Sequence, residues 1–74
     1  MRIQGRVLEV VARNITELET LRLLGEDDRE YHFTSEGFVG FTPSHLREHQ
    51  LFGQPVIVNY VQKSGQLVAV AITD

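Results

Sequence analysis

The segment from Ile3 to Val11 constrains the fold more than any other stretch, because it has the pattern of a strand whose phase breaks midway. Its first half alternates apolar and polar residues in the order IQGRV, which is the period of a half-buried strand. Two adjacent apolar pairs then follow on either side of Glu9: Val7-Leu8 and Val10-Val11. A β-bulge near Leu8-Glu9 would return the second half to the inner face and bend the strand.

Gly5 lies inside this predicted strand, where glycine is unfavourable unless the backbone curls or another backbone approaches closely. A long, bent first strand with an internal glycine is typical of a small closed barrel, since one strand then pairs into both halves of the sheet. The sequence therefore predicts a chain organised around a curved first strand.

The composition restricts the chain to a few classes of protein. Its 74 residues are expected to form one domain over residues 1–74, with no cysteine for disulfides or thiolate metal sites. No apolar run is long enough to cross a membrane and no secretory signal pattern follows Met1, so we expect a soluble, cytoplasmic protein. The net charge of −3 disfavours a partner held mainly through neutralised phosphates.

Four further strands are predicted downstream. They are Leu18–Leu24, Arg29–Thr34, Pro55–Val61 and Leu67–Thr73, and the last is expected to point Val68, Val70 and Ile72 inward. An acidic turn, Gly25–Asp28, joins the second strand to the third. A helical stripe that begins at Ile15 is an alternative to the second strand; Thr20 and the hairpin that follows favour the strand.

One short helix is predicted over Pro43–Gln50, between the third and fourth strands. Thr42 is suited to the N-cap, Pro43 to the first helical position and Gly53 to the end of the segment. The residues expected to supply its apolar contacts are Phe41, Leu46 and Leu51.

This order of elements predicts an all-β protein with one short helix, a five-stranded closed barrel of the oligonucleotide/oligosaccharide-binding (OB) type. The helix position distinguishes it from an SH3-like barrel, which would have its helical turn between the last two strands. In this chain those strands are joined by the tight turn Lys63–Gln66.

Several stretches of the sequence resemble those of known barrel proteins. Ile3–Glu9, Leu21–Leu24 with its acidic turn, Tyr31–Thr34 and Gly53–Val58 are similar to bacterial translation initiation factor one. Gly37–Val39 and Ser44–Leu46 also resemble the glycine-phenylalanine-valine and serine-x-leucine stretch of ribosomal RNA-binding barrel repeats. The resemblance implies an OB barrel that binds RNA. The chain departs from that basic factor in having a single lysine, Lys63, and an acidic hairpin.

No motif predicts catalysis, and we expect a non-enzymatic protein with no cofactor. His45, Glu48 and His49 match the H-x-x-E-H pattern of zinc peptidases, but a short helix without a third ligand favours a solvated helix face. The acids Glu26, Asp27, Asp28 and Glu30 lack the spacing of a calcium loop and are interpreted as a solvated hairpin tip. No nucleophile arrangement or phosphate loop is present, which is why no enzymatic activity is expected. With neither the histidines nor the acids suitably spaced, no metal site is predicted.

The outward face of the first three strands is the candidate binding surface. OB barrels bind single strands on this face through cations along the backbone and aromatic rings beneath the bases. The residues proposed for contact with single-stranded RNA or DNA are Arg2, Gln4, Arg6, Arg22, His32 and Phe38. An ordinary hydrated sheet face, with Glu30 offsetting the arginine charges, is the alternative interpretation.

The last two strands carry more apolar residues than a one-sided sheet needs. Ile57, Val61, Leu67, Ala69 and Ala71 are expected on the side opposite the core. The predicted helix is too short to cover two strands, so part of this face is expected to stay exposed. The candidate residues for a protein partner or a homodimer contact are Leu24, Ile57, Val61 and Leu67.

Overall fold

The computed structural model describes residues 1–74 as a closed five-stranded β-barrel with one helix, which confirms the predicted OB-like architecture. The strands are β1 (Arg2–Ala12), β2 (Leu18–Gly25), β3 (Glu30–Ser35), β4 (Val56–Lys63) and β5 (Gln66–Thr73). The helix α1 (Pro43–Phe52) lies between β3 and β4 in the chain, and it is not long and apolar enough to span a bilayer. Around the barrel the strands follow the order β1-β2-β3-β5-β4.

β1 curves through both halves of the barrel, as its sequence predicts. Gly5 pairs with β2 through Gly25 and also pairs with β4, so the strand is shared at this residue. A Cβ atom at Gly5 would lie against the Leu24 carbonyl oxygen and 2.9 Å from the Gly25 Cα, which explains the need for glycine. The register with β2 shifts between Val7 and Glu9, which confirms the bulge.

The segment after the first loop is a strand and not the alternative helix. β2 pairs antiparallel with β3, with Leu21 opposite Phe33 and Leu23 opposite Tyr31. Ile15, from which a helical stripe would begin, is 89 % exposed in the loop between β1 and β2. The strand conformation is favoured over a helix because it points Leu21 and Leu23 into the barrel, where both are fully buried.

α1 begins at the predicted residue and extends past Gln50 to Phe52. The Thr42 side chain accepts a hydrogen bond of 3.2 Å from the His45 N–H, and Gly53 adopts the left-handed conformation with φ 66°. These caps satisfy backbone groups that the helix itself leaves unpaired.

The buried face of α1 differs from the prediction. Its buried residues are Pro43, Leu46 and His49, whereas Leu51 is 77 % exposed. Five residues along a helix rotate the side chain about 140° away from Leu46, so both cannot face the barrel. The prediction that Leu51 packs against the barrel is wrong, and so is the solvated interpretation of His49.

β5 also contains a bulge, which the sequence pattern does not reveal. Asn59 and Tyr60 of β4 pair with Ala71 and Ala69, which leaves Val70 as the extra residue. Val70 is 51 % exposed, so the prediction that it points into the core is wrong.

The bulge changes which β5 residues face inward. Ala69 and Ile72 belong to the core cluster and Leu67 packs against it, whereas the predicted outward position of Leu67 and Ala69 is wrong. Val68 is 4 % exposed and so is buried as predicted, although it lies outside that cluster. The core itself holds 12 buried residues drawn from every strand, from α1 and from the segment before α1.

Candidate functional site

Three cross-strand rows of side chains cover the outer face of β1, β2 and β3. The register defines them as Arg6–Leu24–Glu30, Glu9–Arg22–His32 and Val11–Thr20–Thr34. Each row alternates with buried residues of the same strands, because successive strand residues point to opposite faces. The result is a surface with a charged centre and two threonines at one end.

A cleft of about 440 Å³ opens between this face and the turn that joins β4 to β5. Its lining includes Glu9, Thr20, Arg22, Glu30, His32 and Thr34 from the face, with Gly65, Gln66 and Leu67 from the turn. β3 pairs with β5 only from Phe33 onward, so the barrel wall is open beside the first half of β3. The cleft lies at that opening.

Arg22 is already engaged within the cleft. Its Nε lies 2.7 Å from Glu30 Oε1 and its Nη1 lies 3.5 Å from Glu9 Oε1, while His32 Nε2 lies 3.1 Å from the same Glu30 oxygen. The hydrogen bond from Arg22 lowers the pKa of Glu30, and the same bond raises the pKa of Arg22. A ligand phosphate at Arg22 would therefore compete with carboxylates, as the hydrated-face interpretation expects for this arginine.

Arg2 and Arg6 differ from Arg22, because neither forms an ion pair. Arg6 is exposed on the same outer face, in the row that ends at Glu30, but Leu24 lies between the two residues and Arg6 is not part of the cleft lining. Arg2 pairs with β4 and, like the half-buried Gln4, lies outside the cleft lining. Arg6 therefore supplies an unpaired charge on the outer face that carries the cleft, two strands away from Glu30.

Two further depressions continue from the cleft toward β5. The first, of about 520 Å³, shares Thr34 and Gln66 with the cleft and contains the ion pair between Lys63 Nζ and Glu36 Oε1 at 2.9 Å. The second, of about 180 Å³, shares Glu36 with the first and is lined by Phe38. Of the six predicted site residues, Arg22 and His32 line the cleft and Phe38 lines the last depression. The other three, Arg2, Gln4 and Arg6, line none of these depressions.

Sequence reasoning missed Glu9, Gln66 and Lys63, which line these depressions. The signal for Gln66 and Lys63 was available, since they flank a recognised turn and OB barrels use the loop between the last two strands in binding. Glu9 gave no such signal, because its side of the sheet depends on the bulge beside it.

The four residues proposed for a partner patch do not form one surface. Leu24 and Val61 are each 38 % exposed and Ile57 is half-buried, whereas Leu67 packs against the core. Leu24 lies on β2, on the other side of β1 from Ile57.

A cluster of aromatic and histidine rings is formed by Phe41, just before α1, with His45 and His49 of α1. The His45 ring stacks on Phe41 with centroids 4.2 Å apart, and the His45 and His49 rings are 5.1 Å apart. His49 Nδ1 is buried with no hydrogen-bond partner. No three His, Cys, Asp or Glu side chains are grouped so that they could hold a metal ion.

Comparison with protein-family models, curated proteins and solved structures yields no match for this chain. The fold and the cleft therefore define its class: a small OB-like barrel with a polar cleft on the β2–β3 face, beside the β4–β5 turn.

Proposed function

We propose that this protein is a non-catalytic binding module that holds single-stranded nucleic acid, RNA foremost, in the cleft on the β2–β3 face. The observation that supports this most strongly is the location of the cleft, since OB barrels bind oligonucleotides on this face between the flanking loops. The resemblance of the sequence frame to translation initiation factor one points to the same ligand class. A cytoplasmic location, which the lack of cysteine favours, belongs to this proposal.

The cleft offers hydrogen-bonding groups to a bound strand. Thr20, Thr34 and Gln66 can donate to and accept from base edges and hydroxyl groups, and His32 adds an exposed ring. Arg6, exposed and unpaired on the β1 side of the same outer face, is suited to a phosphate. With so few free cations, binding is expected to be weak.

The test is a chemical-shift titration of the protein with mixed-sequence single-stranded oligonucleotides at low and moderate salt. We expect shifts concentrated at Thr20, His32, Thr34 and Gln66. Arg6→Glu should weaken binding, since it replaces an unpaired cation of this face by an acid, whereas Arg47→Glu should not. Arg47 is the matched control because it is also exposed and unpaired but lies on α1. The absence of shifts with any oligonucleotide at low salt would reject the proposal.

A protein partner or a second copy of the chain is the other candidate ligand. The outer face of β4 and β5 exposes Val61 and Val70, and Val61 pairs with Val68, which lines a depression with Phe38 and Val70. Light scattering of Val61→Lys beside the wild type tests self-association. Ile15→Lys is the control, because Ile15 is exposed in the loop between β1 and β2 and not on β4 or β5. A wild type that remains monomeric at high concentration removes the homodimer.

A further inference from the structure

We propose that the cleft and the two depressions beside it form one continuous groove, and that an extended single strand binds along it chiefly through its bases, with one base stacked on Phe38. This inference rests on the proposed function, because it assumes that the ligand is single-stranded nucleic acid. It adds a second binding region, at Phe38, outside the β2–β3 face. It also assigns the main contacts to the bases of the strand and not to its phosphates.

The continuity of the groove follows from the residues that adjacent depressions share. Thr34 and Gln66 line both the cleft and the second depression, and Glu36 and Val68 line both the second and the third. Thr34 and Val68 are also direct partners in the parallel pairing of β3 with β5, so the groove crosses the sheet at that pair. A linear polymer fits such a path better than a compact ligand does.

The charges of the groove argue against a ligand held by its phosphates. Its carboxylates are Glu9, Glu30 and Glu36, and its cations are Arg22 and Lys63. Both cations are held in ion pairs with these carboxylates. Each phosphate placed in the groove would face at least as much negative as positive charge, so the backbone of the strand is better placed outside the groove, with the bases inward.

Phe38 has the properties of a stacking platform. Its side chain is 59 % exposed although the next residue, Val39, is 4 % exposed and part of the core. The Val39 carbonyl accepts a hydrogen bond of 2.7 Å from the Ile72 N–H, which fixes the loop to β5. Val70, raised by the bulge, lies beside the ring in the same depression. An exposed aromatic ring on an anchored loop loses little freedom when a base stacks on it.

The experiment is fluorescence anisotropy with labelled oligonucleotides of two, four and eight nucleotides and with an eight-unit abasic strand that keeps every phosphate. Phe38→Ala is compared with Phe52→Ala, which removes another exposed phenylalanine, 70 % exposed on α1 and outside the groove. Circular dichroism of both variants verifies that they are folded.

We expect the octanucleotide to bind more tightly than the dinucleotide and the abasic strand to lose most of the affinity. Phe38→Ala should weaken octanucleotide binding by about 5- to 150-fold, the range of base stacking on an aromatic ring, and Phe52→Ala should leave it unchanged. A plot of log affinity against log salt should be no steeper than about −0.7, the slope for one phosphate contact on a single strand.

The outcomes separate this inference from the function on which it rests. If no oligonucleotide binds the wild type, both are rejected. If the octanucleotide binds but the abasic strand binds equally well, or if both phenylalanine variants behave like the wild type, the inference fails and the proposed function stands. If Phe38→Ala alters only the molar mass in light scattering, the ring serves a protein contact and the inference also fails.

Discussion

β1 and β5 each contain one bulge, yet only the bulge in β1 is visible in the sequence. In β1 the polar residues Gln4, Arg6 and Glu9 mark the outer side, so a change of phase appears as misplaced polarity. In β5 the run from Leu67 to Ile72 is apolar throughout, and a slip of one residue leaves the pattern unchanged. A bulge can be predicted only where the two faces of a strand differ in polarity.

The two strands also differ in what fixes their shape. β1 is constrained by a backbone crossing at Gly5, which is the close approach of the Gly5 backbone to that of Leu24 and Gly25, where no side chain fits. Its bulge accepts a hydrogen bond from Gln50 of α1 at the Leu8 carbonyl. β5 is constrained by side-chain packing, since Ala69 lies in the core and Val70 lies outside it. The predictions below test these two kinds of constraint, beginning with the backbone crossing.

Gly5→Val should have the largest effect. The new side chain would collide with the backbone of Leu24 and Gly25, neither of which can move without opening the β1–β2 pairing. We expect the free energy of unfolding to fall by about 3 kcal/mol or more, measured by urea denaturation. Gly37→Val is the control, because a Cβ atom at Gly37 meets nothing within 4 Å. If Gly5→Val lowered the free energy of unfolding by less than about 0.5 kcal/mol, the close backbone approach at Gly5 would be contradicted.

The pair Ala69→Thr and Val70→Thr tests the bulge in β5 with the same new residue at adjacent positions. Ala69→Thr adds volume and a hydroxyl group to the core, and we expect a loss of about 2–4 kcal/mol. Val70→Thr keeps the shape and strand propensity of an exposed side chain, so the change should stay within about 0.5 kcal/mol. Simple alternation along β5 predicts the reverse order, and thermal or urea denaturation of the two variants decides between them.

The same contrast explains how much of the candidate site could be predicted. Strand alternation placed Arg22 and His32 on the outer face correctly, because polar and apolar residues alternate clearly along β2 and β3. The ion pairs of Arg22 join residues of three different strands, Glu9, Arg22 and Glu30. They could not be predicted, because the polarity pattern along one strand does not show which residues of other strands lie beside it. The depression at Phe38 also depends on the bulge at Val70, so it could not be predicted before that bulge was known.

Gln50→Ala should have a smaller effect, at the bulge of β1. The Gln50 Nε2 donates a hydrogen bond of 2.8 Å to the Leu8 carbonyl, within the stretch where the register with β2 shifts. The bond is exposed, so water replaces it in part, and we expect a loss of about 0.5–1 kcal/mol in the free energy of unfolding. Gln54→Ala is the control, because its side chain makes no hydrogen bond. Equal stability of the two variants would show that α1 does not hold this bulge.

The smallest change in the free energy of unfolding is expected at the β2–β3 hairpin, which lies next to the backbone crossing at Gly5. The Tyr31 hydroxyl donates a hydrogen bond to Asp27 Oδ2, and both residues lie over Gly25, the partner of Gly5. This hydrogen bond lowers the pKa of Asp27 from its ordinary value of 3.8 and raises the pKa of Tyr31 from 10.0. Both shifts favour the pair in which Asp27 is ionised and Tyr31 is protonated.

The stabilisation from this pair is therefore confined to a window of pH. It is fully present above the ordinary pKa of Asp27 and is lost as the pH falls through the lowered value, because the unfolded chain then binds the proton more readily. At the other end it is lost as the pH rises through the raised pKa of Tyr31. Asp27→Asn should thus be less stable than the wild type near pH 7, and the difference should shrink below about pH 3.8. Denaturation of both proteins at pH 3 and pH 7 measures it, and a difference that stays constant would show that Asp27 contributes through backbone contacts alone.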